Sequence, residues 1–339
     1  MFLKNGWYCA GWMHELDAGP IARRMLDMPV LVFRAADGAA AAVQGNCPHR
    51  FAPLHRGTIA GDTITCPYHG LVFDRGGRCI HNPHGDGELP KNADLRTYPV
   101  IESQGVVWVW LGDPALAAET PVVDTGFVVD PAYATVFGYL SVEAHYQLII
   151  DNLLDLTHPA ILHANSISSP EYMGEKMHHR FRQEGQVVHS DYLFKDVAAS
   201  PGLAPLWGDR RTDVRAMMAL YPPSSLMLDF RMNEVDGPDD EGLFLPTAHL
   251  LVPENERRTH YFYAMGRNAA IDNRGLDAII ADVARKAFAE EDEPMIRECQ
   301  EMMGTHDLFA LKPAMLKTDV AAVRARLLLD RLIAEEGGR

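Results

Sequence analysis

Two short loops of the chain each carry one cysteine and one histidine, and this pairing limits the possible folds more than any other feature. The first loop has the spacing Cys-x-His, at Cys47 and His49, and the second has Cys-x-x-His, at Cys66 and His69. Thiolate and imidazole groups are both ligands of transition metals. Four unrelated polar residues would produce this arrangement only by two coincidences. The sequence therefore predicts a metal site that the two loops share.

Two kinds of metal centre use two cysteines and two histidines. In a Rieske [2Fe–2S] centre, two thiolates bind one iron and two imidazoles replace thiolates on the other. A structural zinc site takes the same four ligands in a tetrahedron. Zinc fingers usually pair Cys with Cys and His with His, whereas here each loop has one of each. The pattern therefore favours a Rieske cluster held by Cys47, His49, Cys66 and His69, with zinc as the alternative.

The turn pattern divides the chain into two predicted domains. Residues 1–115 contain short β-like runs separated by turn signals, such as the Asp-Gly pair at 37–38, which is typical of an all-β domain. After a linker rich in Ala and Pro, which ends near 121, one helical pattern is followed by a run of strand-like segments and then by two longer helical patterns. We therefore predict an α+β protein with an all-β domain at 1–115 and a catalytic domain at 116–339. In the second domain, helices are expected to pack on an antiparallel sheet.

A second pair of histidines, His158 and His163, lies near the carboxylate of Asp155. Five steps along a regular α-helix rotate a side chain by about 140°, so the two rings would point apart. They can bind one ion only if the helix is broken or bulged between them. Pro159 disfavours α geometry at His158, and a π-bulge would realign the pair. Incidental histidines at the end of a core helix are the alternative that the residues leave open.

The acidic run at 290–293 offers the distant carboxylate that a site of two histidines and one carboxylate requires. On a regular helix, Asp292 shares a stripe with Phe288 and Ile296, whereas the three glutamates of the run point elsewhere. A carboxylate on an apolar face needs a partner such as a metal ion. Asp292 is therefore the predicted third ligand. The competing interpretation is a helix cap ahead of Pro294.

The two loops and their flanking residues closely resemble the cluster loops of Rieske non-haem iron oxygenases of the vanillate O-demethylase and dicamba monooxygenase type. The likeness runs from the Asn-x-Trp-Tyr segment at 5–8, through His-Asn-Pro-His-Gly at 81–85, to the final helices. It implies that the loops hold a [2Fe–2S] cluster and that a mononuclear Fe(II) is bound by three residues, His158, His163 and Asp292.

The resemblance also implies how the two centres communicate. Asp155 would bridge toward a cluster histidine, His69, of a neighbouring subunit, which requires a head-to-tail trimer. Asn152, in the same segment as Asp155, is also predicted to be a catalytic residue. The implied protein is a terminal oxygenase that uses O₂ and electrons from an NAD(P)H-dependent reductase or a ferredoxin.

The expected reaction is O-demethylation of a methoxy-aromatic acid with release of formaldehyde. Hydroxylation or N-demethylation of another aromatic or heterocyclic compound is one alternative. A Rieske electron carrier without oxygenase activity is another, from a different functional class.

Three residues are expected to contact the substrate: Asn152, His249 and Asp229. The resemblance matches His249 to a histidine, and Asp229 to an asparagine, that hold the substrate carboxylate in the dicamba enzyme. An aspartate facing a carboxylate would be repulsive unless it were protonated or paired, with Arg231 as a candidate partner. Whether Asp229 has a structural role or sets specificity is left open.

The composition fits a small-molecule enzyme. The net charge of −15 excludes general binding to nucleic acids, which needs a basic surface. The most apolar stretch, 105–111, is far shorter than the roughly 20 residues that cross a bilayer, and the start does not resemble a signal peptide. We therefore predict a cytoplasmic protein that contacts no membrane. Five scattered cysteines do not suggest a disulfide framework; the sequence assigns no role to Cys9, Cys79 or Cys299.

Overall fold

The computed structural model describes residues 1–164, 166–238 and 241–338. The chain forms two compact units, the first made of 2–124 with 252–255 and the second of Met1, 125–251 and the residues from 256 onward. The predicted boundary at 115/116 falls inside the first unit, because the residues after it pack there. The indole Nε1 of Trp7 donates to the carbonyl of Thr120 at 2.8 Å, and Gln104 donates to Asp124 at 2.8 Å.

The first unit is built from short antiparallel strands, which confirms the predicted all-β architecture. They form three sheets with the strand orders β1-β11-β10, β2-β3-β4-β9 and β5-β6-β7-β8. Two short helices, α1 (Met13–Ala18) and α2 (Pro114–Ala117), accompany them. The strands are β1 (Trp7–Trp12), β2 (Ile21–Met25), β3 (Met28–Arg34), β4 (Ala40–Gln44), β5 (Thr58–Ala60), β6 (Thr63–Thr65), β7 (Val72–Asp74), β8 (Cys79–His81), β9 (Thr97–Tyr98), β10 (Val100–Ser103) and β11 (Val106–Trp110).

One core cluster of this unit lies directly beneath the two cysteine loops. Cys47 and Cys66 are themselves part of it, packed with apolar side chains that are almost fully buried, among them Phe33, Ile64 and Phe73. Burying these side chains contributes about 2 kcal/mol each to folding. The two cysteine loops therefore pack on a well-buried apolar core.

The second unit is organised around one antiparallel sheet, as the sequence predicted. Among the described residues its strands follow the order β12-β19-β18-β16-β15-β14-β13, with β17 paired to β16. Strand β13 was not predicted from the sequence, since its residues are mostly polar and its alternation is weak. The strands are β12 (Ala134–Val142), β13 (Met177–Glu184), β14 (Val187–Ala198), β15 (Arg211–Tyr221), β16 (Ser225–Asn233), β17 (Leu243–Phe244), β18 (Thr247–Asn255) and β19 (Arg258–Arg267).

Helices pack against this sheet and carry most of the predicted iron-site residues. The helical pattern at the C-terminal side is divided by a π-helical segment, Lys286–Asp292, with regular helices on either side. The final helix packs on the helix that precedes His158, through an ion pair between the buried Arg326 and Asp151. The helices are α3 (Tyr146–Leu154), α4 (Pro159–Leu162), α5 (Ala204–Trp207), α6 (Arg274–Arg285), α7 (Glu293–Met303) and α8 (Val320–Gly337).

Candidate metal centres and substrate chamber

The two cysteine loops have matching backbone geometry. In each loop the cysteine N–H donates to the carbonyl five residues ahead, and the N–H four residues ahead donates to the cysteine carbonyl. The distances are 2.9 and 2.8 Å at Cys47, and 2.8 and 3.1 Å at Cys66. The residue four positions after the cysteine has a positive φ in both loops, +55° at Phe51 and +70° at Gly70. Equivalent turns therefore present the two cysteines in the same way.

The side chains of the loops separate by ligand type. Cys47 and Cys66 are buried, whereas His49 is exposed and His69 half-buried. The two imidazole rings lie with centroids 4.5 Å apart. Burial raises the pKa of the Cys47 thiol to about 11, and the neighbouring Cys66 adds to the rise. Two adjacent thiols on the core side and two adjacent imidazoles on the solvent side are the donor set that a Rieske cluster needs, so the residues fit that group.

The chain around His158 and His163 does not contain the predicted π-bulge. Helix α3 ends at Leu154, and Asp155 has extended backbone angles. The Oδ1 of Asp155 accepts from the N–H and the hydroxyl of Thr157, at 3.0 and 2.6 Å, which is a local turn that stops the helix. His158 has α geometry although a proline follows it, because Pro159 is the first residue of the new helix α4. The prediction of a bulge was therefore wrong, and the break lies at Asp155.

His158, His163 and Asp292 come together at one point. The Nε2 atoms of His158 and His163 lie 3.5 and 3.1 Å from the Oδ1 of Asp292. His163 and Asp292 are buried, and His158 is half-buried. Atoms that bind one first-row metal ion at about 2.1 Å lie about 3 Å apart when their bonds meet at right angles. The two nitrogen-to-oxygen distances are close to this spacing, and all three ligand atoms lie within 4.8 Å of one another.

The outer nitrogen of each ring is occupied by a hydrogen-bond acceptor. His158 Nδ1 lies 2.6 Å from the carbonyl oxygen of Asp155, and His163 Nδ1 lies 2.7 Å from the Oε2 of Glu291. Each Nδ1 therefore donates outward, which directs the Nε2 of both rings toward Asp292. Acceptors in these positions are the usual partners of metal-binding histidines. The arrangement fits a site of two histidines and one carboxylate.

The charges of the three residues also suit a cation. Burial alone would raise the pKa of Asp292, but His158 and His163 outweigh it and lower this pKa to about 2. Burial lowers the pKa of His163, yet its hydrogen bonds to the carboxylates of Asp292 and Glu291 and their negative charges leave this pKa above its ordinary value. Asp292 is therefore ionised at neutral pH, as a carboxylate ligand must be.

Glu291 is a site residue that the sequence analysis missed. On a regular helix, the side chain of Glu291 would point away from the stripe that carries Asp292. This segment is π-helical instead, and the N–H of Glu293 donates to the carbonyl of Phe288, five residues earlier. Consecutive carboxylates therefore reach the two sides of one imidazole ring. Pro294 is the signal in the sequence, since it lacks the N–H that an α-helix needs at that position.

Asn152 lies beside the three ligands, whereas Asp155 does not join them. The Nδ2 of Asn152 donates to the Oδ1 of Asp292 at 3.1 Å and lies 3.4 Å from the Nε2 of His158. Asp155 is half-buried at the end of α3, where its side chain holds the turn described above. The structure therefore places Asn152 at the predicted metal position, whereas the side chain of Asp155 does not join the three ligands.

An apolar chamber of about 140 Å³ opens next to the three ligands. Strands β14, β15, β16, β18 and β19 form one wall, and the helices form the other. His158, His163 and Asp292 line it, together with Asn152 and His249. Its apolar lining includes Leu153, Leu156, Ile167, Phe194, Leu203, Met218, Leu228, Phe230, Leu245, Met265, Ile280, Val283 and Phe288.

The structure does not bring Asp229 to this chamber. Side chains alternate along β16, so Leu228 and Phe230 line the chamber while Asp229 faces the opposite side of the sheet. There its two oxygens accept from Nε and Nη2 of Arg231, both at 2.7 Å. The expected pairing with Arg231 is therefore present, and Asp229 is not among the described residues that line the chamber.

Two further predictions from the sequence concern disulfide bonds and membrane-spanning helices. None of the five cysteines is paired in a disulfide in the structure. In the part of the chain that the structure describes, no helix is long and apolar enough to cross a membrane.

The chain matches two family models and is similar to characterised proteins over its whole length. Residues 6–99 match the Rieske [2Fe-2S] domain, and residues 142–335 match the vanillate O-demethylase oxygenase C-terminal domain. The chain is 35% identical to the oxygenase component of dicamba O-demethylase from Stenotrophomonas maltophilia, covering 98% of both chains. It is 34% identical to the oxygenase component of chloroacetanilide N-alkylformylase from Rhizorhabdus wittichii, covering 99% of this chain and 97% of the relative.

The same relationship appears in three dimensions. The crystal structure of dicamba monooxygenase bound to dicamba superposes with a TM-score of 0.92 at 32% identity, covering 100% of this chain and 99% of that one. The family confirms the predicted pair of cofactors, a Rieske [2Fe–2S] cluster and a mononuclear iron. The chain therefore belongs to the Rieske non-haem iron oxygenases, and it is the terminal oxygenase component of a multicomponent monooxygenase that receives electrons from a separate reductase.

Proposed function

We propose that Cys47, His49, Cys66 and His69 hold the cluster and that His158, His163 and Asp292 hold the mononuclear iron. The observation that supports the second assignment best is the convergence of two Nε2 atoms on one oxygen of Asp292, at 3.5 and 3.1 Å, at the wall of an apolar chamber. When bound, the two groups would supply single-electron transfer and the activation of O₂.

We further propose that the reaction is oxidative O-demethylation of a methoxy-substituted aromatic compound, with release of formaldehyde. The dicamba relative and the vanillate family model are both O-demethylases by name. The chamber supports the aromatic part of the proposal, because its lining is dominated by aliphatic and aromatic side chains. The methoxy carbon would lie against the ligand side of the chamber.

The residues of the chain would carry out three tasks in this reaction. The apolar lining would exclude water and hold the aromatic ring by its faces. Asn152 would keep the Asp292 carboxylate in place through its 3.1 Å hydrogen bond. Asp155 and Glu291 would hold the two imidazole rings by their Nδ1 atoms, so that the ligand atoms are oriented before substrate arrives.

We also propose how the subunits assemble and exchange electrons. Asp155 would accept a hydrogen bond from His69 of a neighbouring subunit, and a head-to-tail trimer would provide that neighbour. The separate donor would pass its electrons to the cluster directly or through a ferredoxin, and the cytoplasmic location stays a prediction.

One other activity has a specific observation in its favour. The N-alkylformylase relative is nearly as similar to this chain as the dicamba relative, at 34% against 35% identity. Removal of an alkyl group from nitrogen is therefore the second candidate. It would require the same metal residues and the same chamber.

A turnover assay with the purified oxygenase, a generic reductase and a set of methoxy- and N-alkyl-aromatics tests the proposal. O-demethylation predicts formaldehyde in equal amount to substrate-dependent O₂ uptake for methoxy compounds. Products of N-dealkylation, with methoxy compounds inert, would favour the second candidate. The His158→Ala variant is the control, and it should release no formaldehyde.

A further inference from the structure

One buried hydroxyl in the wall of the chamber lies far from the proposed metal ligands and has no partner among the described residues. We propose that this hydroxyl, which belongs to Tyr172, binds an oxygen acceptor on the substrate, and that the substrate carries this acceptor on the ring carbon opposite its methoxy group. The proposal rests on O-demethylation as the proposed function, which sets the position of the methoxy group. The end of the chamber at which the hydroxyl lies follows from the strand register.

Few polar groups of the chamber are available to a ligand. Apart from its histidines, the described lining has four neutral polar side chains, Asn152, Ser168, Tyr172 and Thr247. Asn152 donates to Asp292 at 3.1 Å, and Thr247 donates to the carbonyl of Leu245 at 3.4 Å. The hydroxyls of Ser168 and Tyr172 are buried and have no hydrogen-bond partner within the part of the chain that the structure describes. These two hydroxyls are therefore the candidates.

The two hydroxyls belong to different parts of the chamber. The N–H of Ser168 donates to the carbonyl of the proposed ligand His163 at 3.1 Å, which keeps Ser168 at the metal end. Tyr172 packs on strand β14 instead, where its ring stacks on that of Phe194 with centroids 4.7 Å apart and planes 19° apart. The position of Phe194 therefore decides where the Tyr172 ring lies.

The strand register places Phe194 at the opposite end of the sheet wall from His249. Phe194 is level with Met232 across β15, and Leu226 is level with His249. Met232 and Leu226 are six positions apart on β16, which is about 20 Å of strand. The His249 ring in turn lies 5.7 Å from that of Phe288, in the π-helical segment that carries the third proposed ligand. The ring that stacks on Phe194 is thus remote from the ligand side of the chamber.

The hydroxyl of Tyr172 is suited to donate to a ligand. Burial raises the pKa of Tyr172 above its ordinary value, and the negative charge of Glu171 adds to the rise, so the phenol keeps its hydrogen. A buried donor without an acceptor is costly, and a ligand that brings an acceptor removes this cost. A carbonyl, nitro, phenol or carboxylate oxygen could fill the role. Because the stack on Phe194 holds the ring in place, little order is lost when the ligand binds.

The size of the chamber decides which ring carbon carries the acceptor. Its volume of about 140 Å³ is close to that of a cavity of about 150 Å³ that holds one benzene ring. With the methoxy carbon on the ligand side, the substituent that points to the other end is the one on the opposite ring carbon. An acceptor on the adjacent ring carbon would lie beside the methoxy group and away from Tyr172.

Three methoxyarenes test the proposal by calorimetric titration of the resting holo-oxygenase, without a reductase. They are 4-methoxyacetophenone, with the acceptor opposite the methoxy group; 2-methoxyacetophenone, with the acceptor adjacent to it; and 4-ethylanisole, with the outline of the first but no acceptor. We expect 4-methoxyacetophenone to bind about 10-fold more tightly than either of the others. Equal affinity for 4-methoxyacetophenone and 4-ethylanisole, tighter binding of the 2-isomer, or no binding of 4-methoxyacetophenone at its solubility limit would overturn the proposal.

A substitution that removes only the hydroxyl tests the role of Tyr172. In Tyr172→Phe, the preference for 4-methoxyacetophenone over 4-ethylanisole should disappear, while the affinity for 4-ethylanisole stays within about 2-fold. Tyr192→Phe is the matched control, because Tyr192 is buried in the same aromatic stack, 6.1 Å from Phe194, but is not among the described residues that line the chamber. The control should keep the preference. An unchanged preference in Tyr172→Phe, or an equal loss in Tyr192→Phe, would refute the role of Tyr172.

The formaldehyde assay separates this proposal from the proposed function. A preference for 4-methoxyacetophenone that Tyr172→Phe abolishes, without formaldehyde from that ketone, would refute O-demethylation and leave the binding role of Tyr172 standing. Formaldehyde from all three probes, with no difference in their affinities, would do the reverse.

Discussion

The carboxylate of Glu291 lies 2.7 Å from the Nδ1 of His163, while the next residue, Asp292, lies 3.1 Å from the Nε2 of the same ring. Two consecutive acids thus hold one imidazole from both sides. Both acids belong to the π-helical segment Lys286–Asp292. Glu291 also accepts from the hydroxyl of Ser166 at 2.6 Å, which fixes its own position.

The first prediction concerns this pair. Glu291→Ala should weaken binding of Fe(II) at the proposed mononuclear site about 10- to 100-fold, because His163 loses the acceptor that orients it. Competitive titration of the iron-depleted protein measures the affinity. Glu290→Ala is the matched control, since Glu290 is exposed and pairs with Arg285. Equal affinities in the two variants would mean that Glu291 does not orient the ligand.

The second prediction concerns the link between subunits. Asp155→Asn should retain both metal centres and lose nearly all turnover, because an amide can replace the oxygen that holds Thr157 but not the negative charge that we propose pairs with His69 of a neighbouring subunit. Iron content and the spectrum of the cluster report the first property, and O₂ uptake the second. Full activity in this variant would remove Asp155 from the proposed path.

The third prediction concerns stability of the helix that carries Asn152. The guanidinium of Arg326 is buried and binds both oxygens of Asp151, at 2.6 to 3.0 Å. Burial raises the pKa of Asp151, and Arg326 offsets part of the rise. Arg326→Met should therefore cost about 3 kcal/mol in urea unfolding, since it leaves a desolvated carboxylate unpaired. Arg331→Met, at an exposed pair with Glu335, should change the free energy of unfolding by less than about 0.5 kcal/mol.

The fourth prediction concerns acid stability. His145 begins helix α3 by accepting the N–H of Gln147, and burial lowers its pKa to about 2. Because the unfolded chain binds a proton near pH 6.5 and the folded one does not, the stability that neutral His145 provides is full above pH 6.5 and declines below it. The loss is about 1.4 kcal/mol per pH unit, or about 2 kcal/mol between pH 6.5 and 5.

The variant His145→Asn provides the comparison for this effect. Asparagine keeps a helix-capping oxygen but does not titrate. Urea unfolding of the variant should therefore lose about 2 kcal/mol less than the native protein between pH 6.5 and 5. Parallel pH profiles for the two proteins would assign the acid sensitivity to other groups.

The sequence predicted which side chains the structure brings together at the two proposed centres, but it was a poor guide to the backbone that positions them. Cys-x-His and Cys-x-x-His loops are local, so their chemistry can be predicted without knowing the fold. Asp292 was found because an inward acid on an apolar stripe is rare. The same regular-helix geometry directed Glu291 away from the site, although its carboxylate reaches His163 from the π-helical segment Lys286–Asp292. A long-range pairing of this kind leaves almost no trace in a single sequence.

The substrate side was the least predictable part. The face that Asp229 presents depends on the register of β16, and one position along a strand moves a side chain to the other side of the sheet. The Nδ1 of His249 lies 2.6 Å from the hydroxyl of Tyr261, which lies on a different strand. Neither relationship can be derived from spacing along the chain.

The central claim is that this chain binds a mononuclear iron through His158, His163 and Asp292 in addition to a Rieske cluster. Iron analysis of the purified protein and of His158→Ala tests it most directly. Two irons of the cluster and one mononuclear iron per chain are expected in the native protein, and only the two cluster irons in the variant, with an unchanged cluster spectrum. A native protein that binds only the cluster irons, or a variant that retains the third, would contradict the account.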